Sequence, residues 1–191
     1  MRVVTYGFGM RSEMRRLGAA AAVVAAVLCL GACAPEDPGP KPSPDPTSTP
    51  LFASDEEALA AAEEAYGRYQ AVADAILMDG GANPERLLDV ATQEKLEYEQ
   101  RGYEELRSSG YTFTGSSTFD RMTLQSRDDA TVSVYVCDDI TSVDVLGQDG
   151  RSVVMPDRPD IFPRAVTFVS NGDRTLVVSN SDEWTGSNFC E

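Results

Sequence analysis

The sequence predicts an α+β fold, with N-terminal helices packed on an antiparallel β-sheet. Three observations predict it. Between Ser54 and Gly110 the apolar residues recur at steps of three and four, the period of a helix with one buried face. From Tyr111 onward the period changes to alternation, the mark of half-buried strands. Turn signatures at Arg127-Asp128-Asp129, Gln148-Asp149-Gly150 and Asn171-Gly172-Asp173 cut the alternating region into hairpin-sized pieces. Helices first and hairpins afterwards place the helices on one face of the sheet.

The first helix opens on Ser54-Asp55-Glu56-Glu57, a capping box in which Ser54 caps the Glu57 amide and Glu57 reaches back. Leu59, Ala62, Tyr66, Tyr69, Ala73 and Ile76 then form one apolar stripe on a helix of about 24 residues that Gly80-Gly81 ends. Asn83-Pro84 reads as an N-cap with proline in the first turn, leading into Leu87, Leu88 and Ala91. Thr92 restarts a helix that carries Leu96, Tyr103 and Leu106 and ends near Gly110. The strand candidates are YTFTGSSTF, RMTLQSR, TVSVYVC, TSVDVL, RAVTFVS and RTLVVSN. In TVSVYVC, Val132, Val134 and Val136 share one face, and Thr131, Ser133, Tyr135 and Cys137 the other.

Ahead of this body stands a different kind of sequence. RSEMRR, residues 11–16, is a positive segment, and residues 17–32, LGAAAAVVAAVLCLGA, are an uncharged run of sixteen. A spanning helix needs about 20 apolar residues, whereas a signal-peptide core is shorter. Leu30-Gly31-Ala32-Cys33 resembles the lipobox of bacterial lipoproteins. The resemblance implies a diacylglyceryl group on the Cys33 sulfur and cleavage between Ala32 and Cys33, so that residues 1–32 are a lipoprotein signal peptide. Two acyl chains at about 0.8 kcal/mol per buried CH₂ hold a protein on a bilayer where one would not. Cys29 would leave with the signal. A start at Met10 or Met14 rather than Met1 is also open, and Met14 gives a signal of more usual proportions. Residues 33–50 are then the lipidated cysteine and a disordered linker: residues 34–50 hold seven of the eleven prolines. Such a chain favours polyproline II and reaches about 50 Å. The linker could instead be an aromatic-groove ligand or a glycosylation site, but a spacer is the simpler reading. The expected location is the extracytoplasmic face of the cell membrane, with residues 51–191 as one folded domain.

Composition narrows the chemistry. There are 31 acidic and 16 basic residues in 191, a net charge of −15. Residues 1–32 carry four arginines and one glutamate, a net +3, so the chain from Cys33 onward carries −18. That field repels phosphate backbones, and no nucleic acid partner is expected. Histidine is absent. Ser-His-Asp and Cys-His nucleophiles, HExxH zinc sites and imidazole acid–base catalysis are therefore excluded. After loss of Cys29 and lipidation of Cys33, Cys137 and Cys190 are left, and two cysteines in an exported domain most often pair. A redox pair is the alternative; the wide spacing and the neighbouring Asp138, Asp139 and Glu191 speak against a lowered thiol pKa.

The element order, with the pattern VYVCDDITSVDV…DG…V closing on W…G…FC, resembles the NTF2-like (SnoaL-like, cystatin-like) superfamily over residues 54–191. The resemblance implies a strongly curved sheet with helices in its concavity, and a pocket between them. It also implies a sheet-mediated homodimer as one option for the oligomeric state. In enzymes of that superfamily the pocket pairs a carboxylate with a tyrosine or arginine donor, chemistry that needs no histidine. The pocket candidates here are Tyr66, Tyr69 and Asp74 on the first helix, together with Trp184; Asp120 and Arg121 lie elsewhere. The stripe spacing equally suits tyrosines in the helix–sheet core with their hydroxyls at its rim and Asp74 facing water. Trp184 reads as a core aromatic on a strand entering the sheet. Asp138, Asp139, Asp144 and Asp149 lack the ligand register of a calcium loop and read as turns and a solvated edge. No cofactor and no metal are expected. Three functions remain. The first is a non-catalytic lipoprotein that binds a protein, an envelope component or a small apolar ligand in the helix–sheet concavity. The second is a histidine-free enzyme of the SnoaL or ketosteroid-isomerase type, and the third an envelope accessory module acting through its outer sheet face.

Overall fold

The computed structural model describes residues 50–190. The signal segment, Cys33 and the linker through residue 49 lie outside the described residues. Helix α1 (Asp55–Met78) begins on its cap: the Ser54 hydroxyl accepts from the Glu57 amide at 3.2 Å. Glu57 reaches back to the Ala53 amide at 2.7 Å, one residue before the cap itself. Gly80 and Gly81 take φ of +66° and +78°, which end the helix where side chains rarely go. Its buried face is wider than an apolar stripe. It includes Ala58, Ala62, Ala65, Tyr66, Tyr69 and Ile76, but also Gln70 and Asp74.

Asn83 does not cap an α-helix. It sits at φ +51° without a side-chain capping bond, and Pro84–Asp89 is a 3-10 helix. Helix α2 (Gln93–Ser109) starts on Thr92, whose hydroxyl accepts from the Lys95 amide at 3.2 Å, and ends on Gly110 at φ +69°.

The strands are β1 (Thr112–Thr114), β2 (Thr118–Arg127), β3 (Thr131–Asp139), β4 (Asp144–Leu146), β5 (Ile161–Ser170) and β6 (Leu176–Glu183). The main sheet runs β2-β3-β5-β6, antiparallel throughout, and β1 pairs with β4 in a separate two-stranded ribbon. The protein is therefore α+β, with helices packed on antiparallel sheets. YTFTGSSTF is not one strand. The chain turns at Gly115, where φ is +82° and a Cβ would strike the Ser142 carbonyl oxygen, so β1 and β2 go to different sheets. Thr118 and Phe119 instead join RMTLQSR in β2 across a bulge at Arg121, at φ +50°. TSVDVL supplies only β4, which leaves the meander for β1, so β3 pairs with β5.

The core forms where α1 lies over Val132, Val134 and Val136 of β3, Val166 and Phe168 of β5, and Leu176 and Val178 of β6. Each such side chain contributes on the order of 1.5–3 kcal/mol by leaving water. Backbone bonds from Val178 to Val90, and from Thr92 to Val178, each 2.9 Å, fasten the start of α2 to β6. This fixes α2 beside the sheet.

On the outer face of β3, Cys137 is joined to Cys190, with Cα atoms 5.6 Å apart. The bond straps the segment after β6 over Tyr135. Trp184 and Phe189 of that segment lie 4.8 Å and 5.7 Å from the Tyr135 ring. Trp184 is therefore a tail residue beyond the end of β6, not a core aromatic within a strand.

Candidate functional site

Between α1, α2 and the sheet lies a cleft of about 270 Å³. Helix α1 supplies Tyr66, Tyr69, Gln70 and Asp74; α2 supplies Glu99, Gly102 and Tyr103. Ser117 precedes β2, and Asp138, Arg164 and Ser181 rise from β3, β5 and β6. The cleft thus brings together Tyr66, Tyr69 and Asp74, which are successive turns of one helix face. Trp184 is not among its residues, because it lies on the opposite face of the sheet against Tyr135.

At the floor, Asp138 is the hub. Tyr66 Oη donates to Asp138 Oδ1 at 2.9 Å and to Oδ2 at 3.0 Å. Gln70 Nε2 donates to Oδ1 at 3.2 Å, and Arg164 Nε to Oδ2 at 2.7 Å. Arg164 Nη1 also donates to the Ser181 carbonyl at 3.3 Å and hydroxyl at 3.4 Å. Burial holds the Asp138 carboxyl above the usual carboxylate range, outweighing the pull of Arg164 and the Tyr66 hydrogen bond. Burial, then the charge of Asp138, pushes the Tyr66 phenol far up. On Arg164, burial works against the charged form, yet Tyr66 and Asp138 together hold its pKa above the ordinary value.

Two further acids flank the hub. Asp74 accepts from the Ser117 amide at 2.7 Å and the Ser117 hydroxyl at 3.0 Å. It is 5 % exposed, so it does not face water. Glu99 pairs with Lys95 Nζ at 2.7 Å and accepts from Tyr69 Oη at 3.2 Å. Tyr69 and Tyr103 are both raised, by burial first and then by Glu99.

Asp138 corrects the reading of the acidic stretch as turns and solvated edge. It is 5 % exposed and faces the core. Asp139, Asp144 and Asp149 do hold turns, accepting from the amides of Thr141, Val145 and Arg151. The signal for Asp138 and Arg164 was present in the alternation. Asp138 continues the face of Val134 and Val136, and Arg164 precedes Val166 and Phe168 at the same two-residue step. Ser181 carried no such signal: a register shift near Ser179 turns it inward opposite Val166.

No protein-family model matches the sequence, and no curated relative matches it. Among solved structures, the intermembrane space region of the chloroplast protein ARC6 aligns with a TM-score of 0.47 at 10% identity. The alignment covers 67% of this chain and 97% of that one.

Proposed function

We propose that the protein is a lipid-anchored, extracytoplasmic lipoprotein of NTF2-like type that binds a small polar molecule in the helix–sheet cleft without transforming it. One observation carries the binding half: the cleft holds fixed polar groups, and a neighbouring side chain or backbone amide orients every acid in it. Asp138 is bonded by Tyr66, Gln70 and Arg164, Asp74 by Ser117, and Glu99 by Lys95 and Tyr69. Groups locked by one another hold a ligand in one orientation. A general base needs a carboxylate free to take a proton, and Asp138 and Glu99 are each held against a cation. A small apolar ligand fits this lining poorly. The pairing of Cys137 with Cys190 supports an oxidising compartment, and the sequence around Cys33 supports the anchor. Helices preceding an antiparallel meander, with a cleft between, support the NTF2-like assignment.

The proton-transfer reading draws on the raised Asp138 beside the Tyr66 hydroxyl. Against it stands the engagement of both Asp138 oxygens, by Tyr66, Gln70 and Arg164.

Gly102 allows a direct test. It lines the cleft from α2, and a Cβ there meets nothing within 4 Å. Gly102→Leu should fill the cleft and, by helix propensity, stabilise the fold by up to about 1 kcal/mol. Saturation-transfer NMR with small water-soluble polar fragments should show binding to the wild type and its loss in Gly102→Leu. Equal binding to both proteins would contradict a cleft ligand.

A further inference from the structure

We infer that the cleft takes a small organic ammonium ion, held by the Asp74 carboxylate and the rings of Tyr69 and Tyr103. The inference rests on the cleft being a ligand site, and it comes from the balance of charge within it. Asp138 is matched by Arg164 at 2.7 Å, and Glu99 by Lys95 at 2.7 Å. Asp74 is the third acid. Ser117 gives it two hydrogen bonds, but no basic side chain among the described residues forms an ion pair with it. A carboxylate has about four acceptor sites, so two remain for a ligand. A sheltered anion without a counter-charge favours a cation beside it.

The aromatic lining points the same way. A tyrosine ring presents a negative face to an ammonium within about 6 Å. Lys95 already uses this chemistry. Its Nζ stands 5.8 Å from the Tyr69 centroid and 5.1 Å from that of Tyr98 while pairing with Glu99. Asp74 with Tyr103 repeats the combination of acid and phenol, and Asp74 lies near enough to Tyr103 for its charge to help raise that phenol, after burial and Glu99. An anionic ligand would meet three acids here. The cation that lines the cleft, Arg164, is already committed to Asp138 and Ser181, and Lys95 to Glu99. The charge of −18 beyond Cys33 also draws cations toward the domain. A cleft of about 270 Å³ has room for an ion the size of choline or a short alkylamine.

The test uses the lipidated protein in detergent, labelled with ¹⁵N. The Ser117 amide reports directly, because it donates to Asp74 at 2.7 Å. The probes are choline and its uncharged carbon isostere, 3,3-dimethylbutan-1-ol. Choline should move the Ser117 amide saturably, and bind at least about tenfold tighter than the isostere. Asp74→Asn, which keeps an acceptor for Ser117, should weaken choline by about tenfold and leave the isostere unchanged. Tyr103→Leu should weaken choline by roughly three- to tenfold. Equal affinity for both probes, still lost in Gly102→Leu, would overturn the ammonium assignment and leave the cleft reading standing. No shift with choline at millimolar concentration would overturn it as well. In that case the fragment measurement on Gly102→Leu decides separately whether the cleft binds anything.

Discussion

Asp138 on β3 ties helix α1 to β5 directly and to β6 through Arg164. Asp138→Asn keeps the shape and removes the charge that Arg164 faces. The amide nitrogen of Asn would meet one of the donors Tyr66, Gln70 or Arg164 where a carboxyl oxygen now accepts, and that mismatch should cost about 1–3 kcal/mol at pH 4. The pH dependence has a definite sign. Burial raises the folded carboxyl above its unfolded value of about 3.9, so between the two the native state binds more protons. The stability linked to this proton is complete below about pH 3.9 and disappears as pH rises through the folded pKa. Asp128, Asp139 and Asp173, lowered by local hydrogen bonds, work in the opposite sense: their contribution is present above about pH 3.9 and lost on acidification. Urea unfolding should therefore show the penalty of Asp138→Asn shrinking between pH 4 and pH 7. A penalty that grows over that range would mean that Arg164, not burial, sets the Asp138 pKa.

At the scale of elements, helices and sheet differ in how far the sequence could be read. Both α-helices are legible because their caps and stripes are local: Ser54 and Thr92 bind amides three residues on. The alternating strands are legible as strands, but not their partners. The departure of β4 to β1 depends on Gly115 passing the Ser142 carbonyl, a contact between residues far apart in sequence. Gly115→Ala should strain that turn and loosen β1 from β4, costing about 1–3 kcal/mol by urea denaturation. The candidate site follows the same division. Tyr66, Tyr69 and Asp74 were readable from one helix, whereas Asp138 needed the alternation carried two residues past Val136, and Arg164 two residues ahead of Val166. The inward turn of Ser181 depends on a bulge that no residue type announces. The tail was half readable. Two cysteines announced a bond, but not that it would strap Trp184 over Tyr135. Cys190→Ser should cost up to about 4 kcal/mol for a loop of 53 residues in the chain-entropy account. Trp184 emission should shift to the red as its contact with Tyr135 loosens. Unchanged emission with unchanged stability would mean that the strap holds nothing.

For the whole molecule, charge and attachment belong together. A body of −18 is repelled by anionic lipid headgroups, so residence at a membrane requires a covalent hold. No helix among the described residues is long and apolar enough to cross a bilayer. The sequence thus offers a proposal for location from one short segment, and for a ligand only from dispersed residues. A lipobox is a short linear signal, whereas the cleft is lined by side chains from six separate places in the chain. Metabolic labelling with palmitate is the most direct measurement. Label should enter the wild-type protein and be absent from Cys33→Ala, which should leave the membrane fraction for the medium. Equal label in both, or a wild-type protein recovered from the cytosol with residues 1–32 still attached, would contradict a lipid-anchored protein outside the cell.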